Sequence, residues 1–274
     1  MNFIDYDDVV LKHLQNLELM ILKDFIQICK DNNLTYYIYG GSLLGAVRHN
    51  GFIPWDDDID IIMLREDFEK FKKCFMLNND DKYELLSYET YDDFFFLFSK
   101  LSLKDTKFEE WWVDQVNFNV GINIDIFVLD FVSDNDIKCF FQTKVCRLLD
   151  RLLTLSVIKL QGYSFLVQNV SNFLHDLMSF LNIKPKNIIK ICLKLLVRYD
   201  DTDRVCDISA LNHPQIYRKN DFQEGISIQF EDILVNAPKN YHNILKQIYG
   251  DYMKLPSKEE RYNHITENFD FGKY

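Results

Sequence analysis

The stretch Tyr39-Gly40-Gly41-Ser42-Leu43-Leu44-Gly45, followed after a short basic link by Pro54-Trp55-Asp56-Asp57-Asp58-Ile59-Asp60-Ile61, restricts this chain more than any other. The apolar run Thr35 to Tyr39 predicts a strand. The glycines behind it let backbone N–H groups approach an anion where Ser42 opens a short helix. Strand alternation over Asp58 to Ile62 sends Asp58 and Asp60 to one face and Ile59 and Ile61 to the other. Glycines in a turn and a solvated acidic loop are the ordinary readings of each piece alone. The interleaved isoleucines favour a joint site, because carboxylates that repel on a half-buried strand call for a cation. Mg²⁺ takes one or two carboxylates together with substrate phosphates and water, so the pairing points to metal-assisted phosphoryl transfer.

A third carboxylate stands in Gly121-Ile122-Asn123-Ile124-Asp125-Ile126-Phe127, another alternating strand, with Asp130 five residues on. A carboxylate among apolar neighbours is costly unless compensated. Asp125 is expected to share the metal with Asp58 and Asp60 or to act as general base toward an acceptor hydroxyl. The competing reading is a strand-end acid paired with Lys100 or Arg48.

The run from Tyr39 to Asp60 resembles the signature of the LicD family, within the nucleotidyltransferase-fold superfamily, which includes phosphocholine transferases and fukutin-related proteins. The superfamily pattern is a Gly-Ser turn, two acids separated by one apolar residue, and a third acid on a later strand. Here these fall on Gly41-Ser42, on Asp58 and Asp60, and on Asp125. Ile124-Asp125-Ile126-Phe127 with Leu129-Asp130 resembles a second block, and Tyr249-Gly250-Asp251-Tyr252-Met253 with Leu255-Pro256 a C-terminal one. Val128 stands where the family often has proline, which loosens a turn without removing a functional group. A zinc site associated with fukutin-related proteins is not carried over, since no zinc spacing is present. The resemblance implies an α+β fold with a nucleotidyltransferase-like mixed sheet flanked by helices. It also implies a catalytic core over 1–134, a helical, locally basic insertion over 135–220, and a C-terminal part over 221–274 that completes the core.

Residues 5–32 carry Val10, Leu14, Leu17, Ile21, Phe25 and Ile28 at helical spacing, which predicts a first helix devoted to core packing. A helix is expected over Arg65–Leu77, and strands over Tyr83–Tyr88 and Phe94–Leu103. A hairpin is expected over Gly225–Asn236, a helix over Pro238–Ile248 with proline at its start, and a turn over Tyr249–Pro256. Phe94, Phe95, Phe96 and Phe98 read as buried sheet face. With 274 residues the chain can bury a sizeable core. It shows no apolar run of spanning length, and Met1 to Asp8 lacks signal-peptide order, so a cytoplasmic location is expected. The cysteines at 29, 74, 139, 146, 192 and 206 form no Cys-x-x-Cys pair and read as reduced core residues.

Charge is uneven. From Ile137 to Arg198 ten basic residues stand against Asp150 and Asp176, making that segment +8 and the remainder −19 in a chain of −11. Lys144, Arg147 and Arg151 share one helical face, as do Lys186, Lys190, Lys194 and Arg198. Solvated surface helices are the plain reading. The sharper one is contact with an anionic acceptor or the inner membrane face, where glycan precursors on polyprenyl phosphate would be presented. The acidic balance argues against nucleic acid.

Arg48, His49, Arg261 and His264 are candidates for phosphate contacts, and Gly41, Ser42 and Asp56 join them in the expected substrate-binding set. By resemblance the activity is Mg²⁺-dependent, with Mn²⁺ the alternative ion. It moves a phosphorylated head group from a CDP donor to a sugar hydroxyl of a surface glycan or teichoic acid precursor, with phosphocholine leading. Trp111, Trp112 and Tyr91 are candidate walls of a cage for a quaternary ammonium. The alternatives are a CDP-ribitol, CDP-glycerol or CDP-ethanolamine donor, or a non-catalytic metal-binding scaffold.

Overall fold

A computed structural model describes residues 6–274 except 79–80, 162–163, 211–212, 262 and 264–267. Helix α1 (Asp8–Asp31) is capped by Asp7, whose carboxylate accepts from the Val9 N–H, and it buries Leu14, Leu17, Ile21, Leu22 and Phe25. After it come β1 (Tyr37–Ile38), α2 (Gly40–His49), β2 (Asp60–Leu64), α3 (Arg65–Asn78), β3 (Tyr83–Leu86), β4 (Ser99–Leu103), β5 (Lys107–Phe108) and β6 (Asn123–Val132). Three helices follow: α4 (Asp136–Val157), α5 (Phe165–Phe180) and α6 (Pro185–Leu196). The chain ends with β7 (Arg204–Asp207), β8 (Gln215–Arg218), β9 (Gly225–Phe230), β10 (Ile233–Pro238), α7 (Tyr241–Tyr249) and β11 (Phe269–Asp270).

The central sheet has seven strands in the order β1-β2-β6-β4-β3, with β7 on the far end of β6 and β8 beside β7. Only β2 and β6 run parallel; every other neighbouring pair in it is antiparallel. The mixed α+β sheet expected from the sequence is therefore present. Ile59, Ile61, Ile124 and Ile126 are fully buried, so alternation drives the apolar face of β2 and β6 into the main core. All six cysteines are free, and all but Cys74 are buried.

Several expectations change. The run 94–98 is not strand, since β4 begins at Ser99; Phe94 and Phe95 are buried in an aromatic cluster with Phe96, Trp112 and Phe118. Ring–ring packing there takes the place of ladder hydrogen bonds. The region 135–220 is helical only through α6, because β7 and β8 pair back onto β6 through Asp130–Val132. Pro238 ends β10 rather than starting a helix, and α7 begins at Tyr241. Arg261, which with His264 stands at helical spacing in the sequence, instead follows a 3₁₀ turn at Lys258–Glu260 in extended backbone.

Three contacts brace the loop between α2 and β2. Gln15 of α1 donates to the Asp56 carbonyl at 3.0 Å, and the Tyr6 hydroxyl donates to buried Asp57 at 3.0 Å. From the β9–β10 turn, Glu231 accepts from the Phe52 N–H and pairs with Lys12. Elsewhere Arg65, opening α3, forks onto buried Asp130 of β6 at 2.7 and 2.8 Å. Asp130 is thereby a structural anchor between helix and sheet.

Candidate active site

Parallel pairing puts Asp60 of β2 directly beside Asp125 of β6, and the Asp125 N–H donates to the Ile59 carbonyl at 2.9 Å. In-register partners on adjacent strands point to the same face, so the two carboxylates stand side by side with the isoleucines behind them. On the other side of β6, Lys100 of β4 is the cross-strand partner of Asp125. Asp60, Asp125 and Lys100 thus form a row across three strands, with both carboxylates half-buried and the lysine buried.

Lys100 Nζ lies 2.7 Å from Asp125 Oδ1, 3.3 Å from Asn123 Oδ1 and 3.6 Å from Glu110 Oε1. Burial alone would push its ammonium toward neutrality, but Asp125, Glu110 and Asp58 outweigh that and hold it raised above the usual lysine range. The same ammonium therefore senses Asp58, which brings all three predicted acids to one neighbourhood. The pairing of Asp125 with Lys100 set against a catalytic role in the sequence is present, and it fixes the carboxylate on the face it shares with Asp60.

Helix α2 meets these acids with its first turn. Gly40 has φ +52° and starts the helix, and a Cβ there would stand 2.3 Å from Asp60 Oδ2. At Gly41 a Cβ would stand 3.1 Å from Asp56 Oδ2. The helix has no acid of its own in that turn, so carboxylates from the loop and β2 face its positive end. Ser42 is buried, and its Oγ accepts from the Asp60 N–H at 2.9 Å, tying helix to strand.

Arg48 and His49 lie at the opposite end of α2. Arg48 donates to the Tyr252 carbonyl at 2.8 Å and to His49 Nε2 at 2.9 Å, joining α2 to the turn after α7. Burial lowers the pKa of Arg48, and burial followed by the Arg48 charge lowers that of His49. Arg261 is placed closer to the acidic loop: its guanidinium stacks 3.9 Å over the Trp55 ring. Its buried Nε has no hydrogen-bond partner among the described residues. His264 lies outside the described residues.

The suggested aromatic cage is not assembled. Trp112 is buried against Phe95 and Phe96, Tyr91 packs on Phe118, and Trp111 is exposed. The sequence offers Lys100 only as one possible partner of Asp125 and does not mark Glu110; the register of β4 on β6 selects Lys100 over Arg48, and Glu110 stands 3.6 Å from its ammonium. An open cleft of about 600 Å³, lined by Arg204, Arg218 and Asn243 among others, lies beside β7 and β8 and contains none of these residues.

Asp60 and Asp125 stand side by side on one sheet face, with Asp58 just before β2, and hard carboxylate oxygens of this kind are the donor chemistry Mg²⁺ takes. Among the described residues no group of three or more His, Cys, Asp or Glu side chains is gathered so as to hold a metal ion by itself, so an ion here would need ligands from substrate and water.

Residues 33–145 match the family model described as LicD/FKTN/FKRP, nucleotidyltransferase domain. The chain is 29% identical over 266 residues to the lipopolysaccharide cholinephosphotransferase LicD of Haemophilus influenzae, an alignment covering 95% of this chain and 98% of that protein. A stretch of 32 residues is 56% identical to the human ribitol 5-phosphate transferase FKRP, 12% of this chain and 6% of that one. An uncharacterised protein of Rickettsia typhi is 47% identical over 53 residues, 19% of this chain and 17% of that one.

Proposed function

Because this chain belongs to the LicD family, we propose that it transfers a phosphorylated head group from a nucleotide-linked donor to a glycan hydroxyl. The leading form is phosphocholine from CDP-choline, passed to a sugar of a cell-surface glycan or teichoic acid precursor. The fold is read as a nucleotidyltransferase-like core. The observation that carries the reading is the register pair Asp60–Asp125 beside the Gly40 turn.

In this reading Asp58, Asp60 and Asp125 hold Mg²⁺, which would supply charge neutralisation at the donor phosphates. In the same reading Asp125 accepts the acceptor's proton, a role supported by Lys100, whose ammonium orients its carboxylate. Arg261 Nε–H, without a partner among the described residues, is offered to a donor phosphate near the acidic loop, and Trp55 fixes the guanidinium plane. The first turn of α2 presents backbone N–H groups, as expected for Gly41 and Ser42. Arg48 and His49, at the far end of that helix, support the C-terminal turn and are assigned no contact with the reacting phosphate.

The local identity to a ribitol 5-phosphate transferase favours a CDP-ribitol donor as the second reading. A thermal-shift panel with Mg²⁺ and CDP-choline, CDP-ethanolamine, CDP-ribitol, CDP-glycerol or CDP tests both, on wild type and Asp60→Asn. Ligand at about 100 times its dissociation constant adds roughly 2.7 kcal/mol, a shift of a few degrees. A metal-dependent shift selective for one donor and lost in the variant is expected. No shift with any CDP compound would count against this donor class.

A further inference from the structure

The strongest feature outside the site is the outer surface of α4, α5 and α6. Among the described residues, 16 of the 24 exposed large hydrophobic side chains fall between Ile137 and Val197. On α5, Leu166, Val170, Phe173, Leu177 and Phe180 recur on one helical face and are 39–86% exposed, while the buried Ser171 and Met178 lie on the other side. On α4, Ile137, Phe141, Val145 and Leu148 form a second stripe, 43–68% exposed. An apolar surface of this extent marks a docking face, not a solvated one.

We propose that these helices dock on a bilayer surface bearing anionic headgroups. Charge selects this occupant. The same segment is +8, with Lys144, Lys184, Lys190 and Lys194 exposed, while the rest of the chain is −19. An anionic surface therefore attracts this layer and repels the remainder, which orients the molecule. A second copy docking face to face would bring two +8 segments together. Docked elsewhere, it would meet an acidic surface with only eight scattered exposed hydrophobics. No helix among the described residues is long and apolar enough to cross a membrane, so the helices lie on the surface, apolar stripes inserted and lysines at headgroup level. The inference does not rest on the catalytic reading.

The test is co-flotation of the full chain with vesicles of phosphatidylcholine alone or with phosphatidylglycerol, at low and high salt. Binding only to the anionic vesicles, weakened by salt, is expected. Phe173→Ser/Phe180→Ser should lower the partition coefficient by roughly tenfold or more through lost apolar burial. Lys190→Gln/Lys194→Gln should lower it by a similar factor through lost charge. All four positions are exposed, so unfolding midpoints should stay near wild type. Absence of flotation with anionic vesicles, or binding unaffected by either double variant, would overturn the proposal. So would a mass that doubles with concentration and reverts to monomer in Phe173→Ser/Phe180→Ser without vesicle binding, which would make the face a contact between copies.

Discussion

Asp60 Oδ2 reaches to within 2.3 Å of where a side chain on Gly40 would begin, so the acid on β2 and the first residue of α2 share one space that only glycine leaves open. The positive φ of Gly40 adds a second reason, because L side chains rarely adopt that conformation.

Gly40→Ala should therefore cost about 1–3 kcal/mol of stability and abolish transfer, since relief of the clash moves Asp60 off the face it shares with Asp125. Chemical denaturation and a transfer assay check both. Retained activity with an unchanged midpoint would show that the close approach is not maintained in solution.

Ser42→Ala removes the buried hydroxyl that accepts from the half-buried Asp60 N–H. An unsatisfied buried donor costs about 1–3 kcal/mol. The loss should appear without any ligand present, which separates the tie between α2 and β2 from a contribution to donor binding read in KM.

Lys100→Met leaves Asp125 without its ammonium in a half-buried row. Breaking such a pair costs about 3–5 kcal/mol, and Lys100→Met/Asp125→Asn should cost less than the two single changes together. Urea unfolding of all four proteins gives the coupling. Additive losses would mean that the 2.7 Å pair is not formed in solution.

Asp207 supplies a pH signature away from the acids of β2 and β6. It is buried, and burial lifts its carboxyl to about 6 against the hydrogen bonds from Ser209 and Tyr39 that favour the charged form. A folded pKa above the unfolded one means that the native state binds the proton more tightly. Wild type should thus lose stability relative to Asp207→Asn as pH rises from about 4 to about 6, and no further above that. Denaturation midpoints of both proteins at pH 4.5, 6 and 7.5 test the sign. A difference that is flat, or that moves the other way, would contradict it.

Local pattern carried much of the fold. Leu14, Leu17 and Ile21 mark α1 by spacing, and Ile59 and Ile61 mark the buried face of β2, because both periods follow from backbone geometry. The Phe94–Phe98 run misled for a physical reason: aromatic β-propensity measures packing, and here the packing partners are Trp112 and Phe118 rather than neighbouring strands. Arg48 misled in another way. Its place in the motif suggested a phosphate contact, but seven residues of helix lie between it and Gly40, and its donors go to the Tyr252 carbonyl and to His49.

By itself the sequence determined which residues are candidates for the chemistry: the Gly-Gly-Ser turn, Asp58 and Asp60 two residues apart, and Asp125 on a later strand, since alternation and composition are local properties. Tertiary structure alone decided how they meet. The parallel register of β2 on β6 places Asp60 beside Asp125, the antiparallel register of β4 brings Lys100 to the same row, and the return of β7 to β6 attaches the basic helices to the sheet. Register depends on burying whole strand faces against distant parts of the chain, and a one-residue slip would turn each of these side chains to the opposite face.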